Sequence, residues 1–379
     1  MASKIRVAVL DDYQDFSKSI FSSLDHSTFE IAVFRDTLRP YNHVDTPTAE
    51  KDELVTRLQD FDIICKNSSH TKDARRLAGL SCTIGTMRER TPFPQELVSR
   101  LPKLRLLLTT GLRNASLDLP ALKSRGVPVA GTADRARGTT NVGTDSTTQH
   151  CVALILNLAR NITPDVVSVQ SGSWQSGFAV GLNGKVFGTV GLGRLGAAVA
   201  RIMHVAFGMR VVAWSANLTQ EAADEKAKAM GLPVEAGGEK TFKAAGREEL
   251  FETADVISVH LVLSDRSKGL IGGEDLRRMK KSAMFVNTSR GPLVKEGDLL
   301  AVLKDGLIRG AAVDVFDLEP LPKDSEWRTT KWGEDGKSQV LVTPHMGYVE
   351  EGTIRTWYEQ QVENIKRWKD GQDLVNPLT

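Results

Sequence analysis

Val186-Phe187-Gly188-Thr189-Val190, running into Gly191-Leu192-Gly193-Arg194-Leu195-Gly196, is the stretch that decides the fold. A glycine-rich turn alone is a common surface device. Here an apolar strand enters it, a helical pattern bearing Leu195, Val199, Ile202 and Val205 leaves it, and a second strand, Arg210–Trp214, completes a βαβ unit. In that setting the three glycines have separate duties: a tight turn, room for a pyrophosphate against backbone amides, and close packing of helix on strand. The stretch therefore predicts a dinucleotide site with Gly191, Gly193, Arg194, Leu195 and Gly196 around the phosphates.

The same winding extends in both directions. Apolar runs of strand length alternate with helix-length amphipathic stretches from end to end, the pattern of parallel sheets wound with crossover helices. Residues 186–190, 210–214, 256–260, 283–287, 311–315 and 340–342 are strand candidates for a sheet of about six strands. Upstream, residues 5–10, 29–34, 61–65, 104–108 and 127–130, with helical patterns at 48–58 and 94–100, make a smaller doubly wound unit. A long apolar helix at 147–159 follows the polar stretch 138–144, where the boundary is placed. Residues 350–369 read as one helix with Ile354, Trp357, Tyr358, Val362, Ile365 and Trp368 on an apolar stripe, expected to dock back on the first domain. Residues 322–339, charged and carrying Trp327 and Trp332, read as a surface excursion. The expected fold class is α/β, with two doubly wound parallel-sheet domains and a cleft between them. One is a flavodoxin-like substrate domain (1–138 plus 346–379), the other a Rossmann dinucleotide-binding domain (139–345).

Length and charge agree with that division. At 379 residues the chain exceeds the usual single-domain size. Its 49 basic and 47 acidic side chains leave a net charge of +2. That balance gives no electrostatic footprint for nucleic acid or an anionic membrane, so a small soluble ligand is the expected partner. No segment approaches the roughly 20 apolar residues that span a bilayer, and the run after Lys4 is of strand length rather than a signal-peptide core. Cys65, Cys82 and Cys151 show neither CxxC spacing nor histidines in ligand register, so they read as reduced thiols of a cytoplasmic protein without a metal site.

The acid expected about 20 residues beyond the last glycine, where it would take the ribose hydroxyls, is missing. Ser215-Ala216-Asn217-Leu218-Thr219 occupies its place. Nothing there repels a 2′-phosphate, and Ser215, Asn217 and Thr219 have donors to offer it, although no arginine follows. NADP is therefore allowed and mildly preferred; a loose NAD site is the alternative.

Three short motifs in the last third carry chemistry: Arg290 in Asn287-Thr288-Ser289-Arg290-Gly291, Glu319 in Asp314-Val315-Phe316-Asp317-Leu318-Glu319-Pro320, and His345 in Thr343-Pro344-His345. A guanidinium can clamp a carboxylate with two parallel hydrogen bonds, an imidazole can hand a proton to a carbonyl oxygen, and a carboxylate can keep that ring oriented and charged. Taken singly, such residues are more often solvated or structural. With a nicotinamide within reach they become the set that reduction of a 2-keto acid requires.

The combination resembles the D-isomer-specific 2-hydroxyacid dehydrogenase family. The likeness runs through Leu182-Asn183-Gly184-Lys185 with the glycine motif, Ala254-Asp255-Val256 with His260, and the three motifs above in the family's order. More weakly it includes residues 104–111 with Asp118, and Gly126-Val127-Pro128-Val129. The resemblance implies that Arg290 binds the substrate carboxylate and keto oxygen, that His345 donates or accepts the proton, and that Glu319 pairs with His345. It places Asp314 at the nicotinamide carboxamide, for which a loop-capping acid is the alternative, and His260 and Thr288 beside the cofactor. It also suggests a homodimer through the long helix of the nucleotide domain. Arg88 and Arg90, with Gly111, are its substrate-facing candidates in the first domain, and Arg113 falls nearby; the three arginines are equally readable as solvated cations.

Several positions depart from the family pattern. Val262 stands where many members have proline, and Thr148-Gln149-His150 stands in place of the more usual small-acidic pair. Residues 66–85, polar and basic, have no clear place in the winding and read either as a surface insertion or as a short retained intron translated in frame. The substrate stays open among glyoxylate or hydroxypyruvate, a phosphorylated hydroxyacid and a bulkier 2-keto acid. A dinucleotide-sensing regulator similar to the family's transcriptional corepressors is the alternative function, and a formate-oxidising relative would be expected to replace Glu319.

Overall fold

Runs rich in Val, Ile and Leu between turn residues become strands buried on both faces, as parallel sheets require. The structure is a computed structural model and describes residues 3–66, 91–112, 116–133 and 145–379. The chain divides into two units, residues 1–140 with 348–379 and residues 141–347.

In the first unit, β1 (Ile5–Val9), α1 (Ser17–Phe21), β2 (Phe29–Val33), α2 (Thr48–Leu58), β3 (Ile63–Lys66), α3 (Gln95–Ser99), β4 (Leu106–Thr109), α4 (Leu119–Ser124) and β5 (Val129–Ala130) follow one another. The sheet order is β2-β1-β3-β4-β5, the flavodoxin-like arrangement with its reversal between β1 and β3. Lys66 corrects one expectation. It does not open a surface insertion but ends β3, paired in register with Thr109 and 1% exposed. Its ammonium donates to the Thr91 carbonyl at 2.7 Å and the Ser116 hydroxyl at 3.1 Å, as a buried charge must. The rest of that segment, with Arg88, Arg90 and Arg113, lies outside the described residues.

In the second unit come α5 (Ser146–Arg160), α6 (Ile162–Gln170), β6 (Val186–Val190), α7 (Arg194–Phe207), β7 (Arg210–Trp214) and α8 (Gln220–Ala229). A small hairpin of β8 (Glu235–Ala236) and β9 (Glu239–Lys240) leads to β10 (Phe242–Ala244) and α9 (Arg247–Thr253). Then follow β11 (Val256–Val259), α10 (Gly273–Arg278), β12 (Met284–Asn287), α11 (Glu296–Lys304), β13 (Gly310–Val313), α12 (Glu326–Thr329) and β14 (Gln339–Val342). The sheet order is β10-β7-β6-β11-β12-β13-β14. It has seven strands rather than six, because β10, with Phe242 its one buried large side chain, adds to the outer edge of β7.

α7 buries Gly196, Ala197, Val199, Ala200 and Met203, a face rotated from the one its large apolar residues suggest; Val205 is 57% exposed. Small residues win the first turns of that face, where the helix must lie close on the strand, and Met203 fills its far end. The segment around Trp327 is likewise more than an excursion, since its indole is 2% exposed and packs edge-on against Phe316 at 5.9 Å. α13 (Glu351–Lys369) returns to the first unit, where Ile354, Trp357, Tyr358, Val362 and Ile365 are buried among Phe21, Leu106 and Leu108. The tail then bonds to β5, Leu378 N–H to Val129 carbonyl at 2.7 Å.

Candidate active site

All strands of the second sheet are parallel, so their carboxyl ends share one edge. Taken across the sheet, that edge presents Ser215 after β7, Gly191 after β6, His260 after β11, Thr288 and Arg290 after β12, Asp314 and Glu319 after β13, and His345 after β14. Sheets of this kind hold ligands at this edge, where the strand order reverses, here between β6 and β11.

The glycine turn fits a phosphate group. Gly191 has φ +102°, and a Cβ there would stand 3.0 Å from the backbone of His260. Among the described residues Gly193 has nothing within 4 Å of where its Cβ would be and makes no side-chain cap at the amino end of α7, an arrangement that suits an anion. Arg194, in the first turn, reaches back to Asp145 at 2.6 Å. At the end of β7 the Ser215 and Asn217 side chains make no hydrogen bond among the described residues. The Thr219 hydroxyl accepts from Ala222 N–H as the N-cap of α8. Arg247 lies 5.4 Å from the Trp214 ring, yet Asp275 takes up its charge at 2.6 Å.

Asn287 shapes the turn that presents Arg290. Its carboxamide donates to the Arg290 carbonyl at 3.0 Å and accepts from Ser289 N–H at 3.1 Å. Gly291 then passes so close to Phe316 that any Cβ would collide with that residue's backbone, which brings the Arg290 turn against the turn carrying Glu319. The Arg290 guanidinium donates to the Ser289 carbonyl at 2.7 Å.

Glu319 and His345 meet directly. Oε2 of the glutamate lies 2.6 Å from Nδ1 of the imidazole, with the two side chains 10% and 11% exposed. Its other oxygen accepts from Phe316 N–H at 2.8 Å, so both carboxylate oxygens are fixed. His345 itself has φ +52°, in the left-handed region that side chains with a Cβ seldom adopt.

Asp314 explains how that conformation is held. It is 1% exposed and accepts from the Thr343 hydroxyl at 2.6 Å, Met346 N–H at 3.0 Å and Gly347 N–H at 3.1 Å, which is the loop-capping arrangement. Burial works to raise its pKa, but His150, the charge of His345 and the Thr343 hydroxyl outweigh it and hold the carboxyl below the usual range. His150 stands on α5, Nε2 3.2 Å from Thr343 Oγ1 and 3.3 Å from Asp314 Oδ1.

A second, partly buried chain lies beside it. His260 Nε2 and Ser258 Oγ are 2.8 Å apart, and Ser258 Oγ is 3.4 Å from the Cys151 thiol. Burial pushes the His260 ring down to about 4, so it is neutral near pH 7, and pushes the Cys151 thiol up. Gly111, in the first unit, follows β4 with φ +80° and exchanges hydrogen bonds with Thr132. Among the described residues no cluster could hold a metal ion. The positions sequence reasoning missed are His150, the role of Thr343 and the Phe316 amide. For His150 the only local hint is its unusual neighbourhood, since it meets Thr343 across 193 residues of chain.

Comparison with known proteins identifies the family and the fold. Residues 152–347 match the model of the D-isomer specific 2-hydroxyacid dehydrogenase NAD binding domain. The glyoxylate/hydroxypyruvate reductase B of Enterobacter sp. (strain 638) is 29% identical over 336 residues, 86% of this chain and 95% of that protein. The D-3-phosphoglycerate dehydrogenase of Bacillus subtilis is 33% identical over 69% of this chain and 44% of its own length. A phosphoglycerate oxidoreductase structure from Vibrio cholerae superposes with a TM-score of 0.75 at 28% identity, covering 97% of this chain and 99% of that one. With the nucleotide edge, the domain match over more than half of the chain and these likenesses together, this chain belongs to the D-isomer-specific 2-hydroxyacid dehydrogenases, oxidoreductases that work with a nicotinamide dinucleotide.

Proposed function

We propose that the chain reduces a small 2-keto acid to its D-2-hydroxy acid, with His345 as proton donor, Glu319 as its orienting partner and Arg290 as the clamp on the substrate carboxylate. The observation that carries this reading is the buried 2.6 Å contact between Glu319 Oε2 and His345 Nδ1. Because Nδ1 is committed to the glutamate, the proton in transit is carried by Nε2. Arg290 draws the keto acid's carboxylate into a bidentate pair, which fixes which face of the carbonyl is presented. The bound nicotinamide supplies or accepts the hydride. The residues that would hold the dinucleotide are Gly191, Gly193, Arg194, Leu195 and Gly196 at the phosphates, Ser215 and Asn217 at the ribose, and His260 and Thr288 further along the edge.

NADP is the cofactor we favour, because no carboxylate stands directly after β7 and the Ser215 and Asn217 side chains have no partner among the described residues. Glyoxylate and hydroxypyruvate head the substrate candidates on the strength of the relatives' names. Arg88, Arg90 and Gly111 remain our candidates for reading the substrate's other end. Self-association into a homodimer is proposed through α6, none of whose residues is buried, together with the exposed Trp174 and Phe178. The buried, unpaired Cys65 and Cys151 suit a cytoplasmic protein.

The test is a matrix of NADPH and NADH against glyoxylate, hydroxypyruvate, a phosphorylated 2-keto acid and a branched one, followed by loss of reduced-cofactor absorbance. Turnover is expected with at least one small acid, faster with NADPH. No oxidation of either cofactor by any of them would overturn the reading.

A further inference from the structure

The segment carrying His345 is gripped on both sides by one carboxylate. Asp314 accepts from Thr343, two residues before the histidine, and from the amides of Met346 and Gly347 just after it. A carboxylate offers about four acceptor sites, and the fourth neighbour is His150 Nε2. The donor there is the ring. The Thr343 hydroxyl spends its proton on Asp314 at 2.6 Å, so its oxygen can only accept from Nε2–H at 3.2 Å.

His150 is placed for this by α5, whose N-cap Asp145 starts the helix five residues earlier and whose other face is buried in the core of the second unit. Gly347 completes the fit. A Cβ built on it would lie 3.6 Å from the His150 ring and 3.5 Å from Asp314, so the loop runs close beside both the carboxylate and the imidazole. A backbone held at φ +52° relaxes unless its surroundings over-determine it. On one side of His345 the Glu319 pair holds the ring; on the other, the Asp314 cluster holds the backbone.

We propose that His150 is a positioning residue: by donating to Asp314 and Thr343 it locks the carboxylate that clamps residues 343–347, and thereby keeps His345 in register with Glu319. This rests on the reading of His345 as the proton donor.

The experiment compares His150→Ala, His150→Gln and Asp314→Asn, and the double variant His150→Ala/Asp314→Asn. It reads steady-state kinetics, dinucleotide binding and hydrogen exchange of the peptide spanning residues 343–347. His150→Ala should lower kcat about tenfold or more with the KM for the keto acid within about threefold. It should raise amide exchange at Met346 and Gly347 by about tenfold. His150→Gln, which restores a donor of similar reach, should keep at least about a third of kcat. In the Asp314→Asn background the alanine change should add less than about twofold, because both act through one clamp. Should the alanine variant fail to fold, His150→Asn, whose shorter carboxamide falls short of Asp314, takes its place. Unchanged exchange in an active enzyme, equal losses in the alanine and glutamine variants, or full additivity with Asp314→Asn would overturn the proposal. If the wild type reduces no 2-keto acid while exchange at 346–347 still rises, the assigned reaction fails and the clamp stands.

Discussion

A single pair of atoms, Glu319 Oε2 and His345 Nδ1, carries the proposed proton transfer, and the roles proposed for the residues around it are ones that kinetics can separate. Truncating His345 to alanine removes the proposed proton carrier, so kcat should fall by about a hundredfold or more, while the dinucleotide Kd measured by cofactor fluorescence stays nearly constant. Arg290→Ala should instead appear mostly in KM for the keto acid; unchanged kinetics in either variant would defeat its assignment. Ser215→Asp puts a carboxylate where a 2′-phosphate would lie. The NADPH/NADH ratio of kcat/KM should drop by about tenfold, and an unaltered ratio would show that Ser215 does not face the ribose. His260 gives a pH prediction. Its folded value of about 4 lies below the ordinary value of about 6.5. Above pH 6.5 neither state binds the proton and stability is intact; as pH falls from about 6.5 to about 4 the unfolded chain takes it up and the folded one does not. Stability should decline over that window by on the order of 2 kcal/mol, since the ring keeps some solvent contact. His260→Gln should flatten that decline, and identical pH profiles for the two proteins would remove His260 as its source.

At the scale of elements, what the sequence made legible is what local periodicity encodes. The strands flanking the glycine turn, α2 and the α13 stripe appear within a residue of their expected bounds, because each is long or strongly patterned and its burial follows from its own side chains. β10 was not legible. It is three residues long with one buried large side chain, and only pairing with β7 makes it a strand. The face of α7 misled for a related reason: large apolar residues mark a likeness to core, yet the demand for close approach at Gly196 hands the buried face to Gly, Ala and Val. That demand is testable. A Cβ at Gly196 would sit 2.0 Å from the Gly191 carbonyl oxygen, so Gly196→Val must push helix from strand. Overpacking of this kind costs about 1–3 kcal/mol and displaces the amides that face the phosphates. Dinucleotide affinity should fall by more than tenfold, about 1.4 kcal/mol, while melting drops only a few degrees. Undiminished affinity would show that α7 does not set the phosphate site. The strand-end placement of Arg290, Glu319 and His345 was legible because each follows a strand within a few residues. His150 was not, because nothing in helical spacing announces a partner on another strand's loop.

For the whole molecule, the chain order explains why two units could be read from one string. Residues 141–347 form an uninterrupted unit set into the first, which the chain leaves and rejoins, so the winding restarts at β6 and the last helix must belong to the earlier sheet. Neither unit explains residues 162–178. Ile162, Val166, Val167 and Val169 on α6, with Trp174 and Phe178 beyond it, are between 46% and 93% exposed, an apolar surface that water disfavours and that nothing among the described residues of this chain covers. Among the described residues no single helix is long and apolar enough to cross a membrane, and α5 with α6 passes that test only as a pair bent by 63°. The near-neutral net charge of +2 raises little repulsion between two copies, and a second copy presenting the same surface is the occupant that leaves no apolar remainder. A stable interface of about 1,200–2,000 Å² would draw its hot spots from the aromatic pair. Sedimentation at micromolar concentration should therefore find a dimer for the wild type. The double variant Val167→Glu/Trp174→Glu, which plants two charges on an exposed surface and leaves the sheet untouched, should be a monomer with an unchanged circular dichroism spectrum. A monomeric wild type, or a double variant that still dimerises, would move the interface elsewhere and leave the α6 surface without an occupant.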